Sequence, residues 1–111
     1  MLELHGQVLV QEGGYWVKIE ARRQIPSQHT PHGIRYSLTL HEPSGARVLG
    51  FDNAHALPRA GGRRIAASRV EYDHWHPDGR PVAPYEFVDA GQLLEDFFAA
   101  VDQVLKRRGV I

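Results

Sequence analysis

Residues 89–109, DAGQLLEDFFAAVDQVLKRRG, decide the fold. Leu93, Leu94, Phe97, Phe98, Val101, Val104 and Leu105 recur at helical spacing. A helix here therefore carries one apolar stripe that has to be buried against another layer. Asp89 stands as the N-cap with Gln92 three residues on, the pattern of a capping box. Lys106, Arg107 and Arg108 complement the negative end of the helix dipole, and Gly109 stops the helix. Burying each large side chain of the stripe stabilises by about 1.5–3 kcal/mol, so this helix closes a core and is no detachable tail.

The layer it closes is written upstream in alternating patterns. Leu2, Leu4, Val8 and Val10 alternate with Glu3, His5 and Gln7. After Gly13 and Gly14, Tyr15, Val17, Ile19 and Ala21 alternate with Trp16, Lys18, Glu20 and Arg22, so these two segments predict a hairpin. A loop from Pro26 to Gly33, with His29 and His32, leads to a third strand over 34–41 whose apolar face is Ile34, Tyr36, Leu38 and Leu40. A turn at 43–45 precedes a fourth strand over 47–52. Residues 54–69 hold no steady period and contain Pro58, two glycines and Arg59, Arg63, Arg64 and Arg69, which predicts a basic loop with a short helix near 64–68. A fifth strand over 70–76 puts Val70, Tyr72, His74 and His76 on one side and Glu71, Asp73 and Trp75 on the other. A sixth segment, 82–87, is interrupted by Pro84 and belongs at a sheet edge. The expected fold is one α+β domain over 1–111, a mostly antiparallel sheet of about six strands packed on one C-terminal helix. The stripe is expected behind the sheet, with the histidine face left open.

Composition narrows the chemistry. With no cysteine, disulfides, thiolate metal sites and cysteine nucleophiles are excluded. No apolar run approaches the roughly 20 residues of a membrane span, and the N-terminus lacks a basic region followed by an apolar stretch, so a cytoplasmic protein is expected. Phosphate loops, dinucleotide fingerprints and serine elbows are missing. The zero net charge hides an asymmetry: residues 1–70 carry nine Lys/Arg against five Asp/Glu, and residues 71–105 carry one against eight. Arginine outnumbers lysine eleven to two, and its planar fork suits bidentate phosphate contacts. The same asymmetry can also serve only to neutralise the two halves against each other.

His74 and His76 lie two apart on a strand, so their imidazoles project from one face with backbones about 6.5–7 Å apart. Asp52, Asn53 and His55 end another strand, and the two clusters meet if the fourth and fifth strands are neighbours. Three uses fit. Histidine can act as general base and acid on a ribose 2′-hydroxyl and its phosphodiester, with an arginine of the basic loop facing the transition state and no cofactor. His74, His76 and either Asp52 or His55 can instead hold a divalent ion that activates water. Or the pair is hydrogen-bonded packing, and the chain is a binding module that grips nucleic acid or protein through its arginines. His29 and His32 read as loop residues, Trp75, Tyr36 and Tyr72 as core. Tyr85, beside Pro84, joins Arg59, Arg63, Arg64 and Arg69 as a candidate RNA contact.

The blocks GFDNAH at 50–55, YDHWH at 72–76 and PYEF at 84–87, running into Asp89, Ala90 and LLEDFF at 93–98, resemble the TumE-like toxin family of bacterial toxin–antitoxin systems. The resemblance covers Leu38 to Leu105, and the N-terminal hairpin adds little to it. It implies a small cytoplasmic toxin of a type II pair, encoded beside a helix-turn-helix antitoxin and acting as an RNase-like growth inhibitor. Asp52, Asn53, Asp73, His74 and His76 take the matching motif positions. The stretch between Asn53 and Asp73 is longer and richer in arginine than in compact members of that family. Partners implied are the antitoxin and RNA, with no membrane and a homodimer left open.

Overall fold

A computed structural model describes residues 1–27, 31–53 and 73–111. Its elements are β1 (Val8–Val10), β2 (Trp16–Arg23), β3 (Ile34–His41), β4 (Arg47–Asp52), β5 (His74–His76), β6 (Ala83–Pro84) and α1 (Ala90–Arg107). The six strands form one sheet in sequence order, each antiparallel to its predecessor. The expected α+β architecture is the observed one.

Alternation in β2, β3 and β4 sends Val17, Ile19, Tyr36, Leu38, Leu40, Leu49 and Phe51 to one side of the sheet. There they meet Leu93, Phe97, Val101, Val104 and Leu105 of α1, and all of these side chains are buried. Phe51 packs edge-on to Phe97, ring centroids 5.7 Å apart, and Trp75 joins the same layer beside Phe51. The stripe therefore lies behind the sheet, as its spacing requires.

Both ends of α1 are closed. The Asp89 carboxylate accepts the Gln92 amide at 2.7 Å, but the Gln92 side chain turns forward to Asp96, so only half of a capping box forms. At the other end the amides of Gly109 and Val110 reach back to Lys106 and Leu105, a Schellman motif built on the positive φ of Gly109. Val110 then covers the hairpin turn so closely that a Cβ on Gly13 would sit 2.7 Å from its Cγ1.

The N-terminal alternation is only partly a strand. Leu2–Leu4 form a 3-10 turn, Gly6 takes a positive φ of 84°, and β1 is three residues long. The break shifts the phase: Leu9 pairs with Val17 on the core side, while Val8 and Val10 are exposed. β6 is also shorter than the expected 82–87, and Pro84 does stand in an edge strand. The basic loop, its short helix, and the start of the fifth strand at 70–72 lie outside the described residues.

Candidate active site

Side chains that face one another across antiparallel strands share a face. Asp52 is the register partner of His74, and Gly50 of His76. All four positions thus lie on the sheet face opposite α1. There the Asp52 carboxylate meets both imidazoles: Nε2 of His74 lies 2.7 Å from Oδ1 and Nε2 of His76 lies 3.2 Å from Oδ2. The rings are close to perpendicular, with centroids 5.2 Å apart. Exposure separates them, since the His76 side chain is 24% exposed and that of His74 14%. Nδ1 of His74 is sealed from solvent.

Gly50 leaves room above the strand. A Cβ there would lie 3.5 Å from the Arg47 guanidinium and 3.6 Å from Cδ2 of His76. Arg47 consequently lies over Gly50, beside the histidine pair, a cation that sequence patterns did not single out. Its placement comes from a register shift at Leu40 and His41, which makes Arg47 the partner of His41 and puts it on the open face. On the same face Trp16 stacks on His41 at 4.0 Å.

β5 is short, and buried polar residues at its margin hold it. Asp73, on the core side, accepts the Tyr36 hydroxyl at 2.7 Å and contacts Nε2 of His32 at 3.1 Å. The Ile34 amide donates to Nδ1 of His32, so the neutral ring carries its proton on Nε2 and donates it to Asp73. His32 also stacks on Phe87. Burial first, then the Asp73 hydrogen bond, pushes the Tyr36 hydroxyl far above its usual range. Asn53 closes β4 onto β3, accepting from the Tyr36 amide and donating to the Ile34 carbonyl. Asp73 and Asn53 thus anchor the neighbours of His74 and Asp52.

Tyr85 lies on the helix side, edge-on to Phe51, and its hydroxyl donates to Asp96 at 2.6 Å. It is not brought together with the histidine pair. Burial and Asp96 raise its hydroxyl as well. His55, His29, Tyr72, Arg59, Arg63, Arg64 and Arg69 fall outside the described residues.

Chemically, one carboxylate that fixes two imidazoles beside a guanidinium is suited to proton transfer at an anionic substrate. The three donors also lie within 4.8 Å of one another, a spacing from which one cation can be held. Among the described residues no helix is long and apolar enough to cross a membrane. The sequence model of a family described as Toxin TumE matches residues 4–105, and so extends over the N-terminal hairpin as well as the three motif blocks. Neither a curated protein nor a solved structure matches the chain.

Proposed function

The chain belongs to the TumE toxin family, and we propose that it is the toxin of a type II toxin–antitoxin pair that cleaves RNA by histidine acid–base chemistry. The observation that carries the proposal is the Asp52 carboxylate shared by His74 and His76 on the open sheet face. In this reading His76, the more exposed ring, takes the proton of a ribose 2′-hydroxyl. The 2′-oxygen attacks the adjacent phosphorus, the 5′-oxygen departs with a proton from the imidazole network, and a cyclic phosphate is left. His74 holds the shared carboxylate in place, and Arg47 faces the negative charge that builds up on the phosphorane. His55 and the arginines of the 54–69 stretch are proposed to complete the site from outside the described residues.

Cleavage by the purified protein in EDTA, with cyclic phosphate ends, tests this. His76→Ala is expected to lower the rate by about 10²-fold or more, the usual worth of a positioned acid or base. Intact RNA under conditions where the toxin still arrests growth would sink the idea.

A second reading is favoured by the convergence of the three donors. Two histidines and one carboxylate are a ligand set of catalytic zinc sites with an open position. Activity lost on chelation and restored by a divalent ion separates it from the first. The partner in either case is an antitoxin, proposed to be of the helix-turn-helix class, and co-expression with the neighbouring gene followed by co-purification tests that.

A further inference from the structure

We propose that Arg22 and Arg35 form a phosphate subsite for the RNA strand on which the Asp52 centre acts, an inference that rests on the nuclease reading above. The two residues are register partners across β2 and β3. Two guanidiniums directly opposite each other on the open face repel, which disfavours the pairing unless an anion lies between them. Neither has a carboxylate partner among the described residues. Glu20, the one acid among the described residues that border the same depression, is turned to Lys18 at 3.7 Å.

That depression has a volume of about 560 Å³ and is bordered by Arg22, Arg23, Arg35 and Ser37. Ser37 is the register partner of Asp52, and Asp52 of His74. Arg35 therefore stands diagonal to Asp52, about 6.5–7 Å along the strands and about 4.8 Å across them, with Arg22 one strand further away. Across a diagonal of about 8 Å between backbones, the long guanidinium side chains can meet a phosphate next to the reacting one. A single small anion occupies one of the two places, whereas a single-stranded RNA presents a phosphate to each. Flanking arginines on one side and Arg47 on the other give the face two cationic ends around the histidine pair, which fits a strand laid across the sheet.

The test is a salt titration of binding, read by fluorescence anisotropy. The probe is a short single-stranded oligoribonucleotide with 2′-O-methyl groups that block cleavage. Arg22→Gln/Arg35→Gln is expected to make the slope of log K against log salt shallower by about 0.7, the worth of one phosphate contact on a single strand. Arg22→Lys/Arg35→Lys is expected to keep the wild-type slope. The glutamine variant should melt no lower than wild type, because it removes a repulsion. If it does not fold, Arg35→Gln carries the same test with a smaller change in the same direction.

An unchanged slope overturns the subsite even where RNA is cleaved. A shallower slope in a protein that leaves unmodified RNA intact upholds the subsite and removes the nuclease reading. A variant that keeps the RNA slope but loses its antitoxin assigns the pair to the protein partner and overturns the proposal, as does a lower melting temperature with an unaltered slope.

Discussion

Asp52 is one residue with two obligations, and its substitution separates charge from shape. Asp52→Asn preserves the volume but can no longer accept from both rings. It is expected to cost about 10²-fold or more in cleavage rate while the melting temperature changes little, checked by single-turnover cleavage beside a thermal scan. Gly50 offers a complementary probe. Gly50→Val suits a strand but fills the space between Arg47 and His76, so activity should fall with the fold intact. The histidine pair and Asp52 were legible because period-2 alternation fixes a face from spacing alone. Arg47 was not, since it stands three residues before Gly50 and plain alternation sends it to the opposite side. Only the register shift at Leu40 and His41 brings it back. The contact of His32 with Asp73 spans 41 positions and has no local signature at all.

At the scale of elements, β3 and α1 were legible to within a residue, because each has an unbroken period and a clear stop. β4 was legible because the turn at 43–45 and Asp52-Asn53 bracket it, although its period breaks at the register shift. β1 was not, since Gly6 interrupts the run and resets which residues face the core. β5 carries the histidine pair of the proposed site, and its three residues are held by side chains of β3 and its approach. Tyr36→Phe leaves the buried Asp73 carboxylate with one donor fewer and is expected to destabilise by about 1.5–3 kcal/mol in chemical denaturation. Cleavage should fall further than the loss of folded protein accounts for, because His74 directly follows Asp73. Phe97→Ala, by contrast, opens a cavity under the sheet and should cost about 3–5 kcal/mol of stability, leaving the rate per folded molecule unchanged.

For the molecule as a whole, Arg108 ties distant parts together. Its guanidinium makes a two-pronged contact with Asp78 at 2.8 and 3.0 Å and reaches Glu42 at 3.1 Å. The hydrogen bond from Arg108 holds the Asp78 carboxyl below its usual range. The unfolded chain thus binds that proton more readily, so the contribution is complete above about pH 4 and is lost as pH falls through the folded value. Arg108→Gln should destabilise by about 1–2 kcal/mol at pH 7, the partly exposed end of the range for such bonds. The gap from wild type, followed by denaturation across pH, should close below pH 4. The strand order carries a further consequence, one of timing. Each strand pairs with the strand made just before it, so the sheet can form as the chain leaves the ribosome, yet its greasy side has no cover until the last helix emerges. A nascent chain stopped at Val88 holds all the residues of the open face and still lacks the layer that stiffens them. It is expected to aggregate where the full-length chain stays dispersed, read by sedimentation of the two side by side.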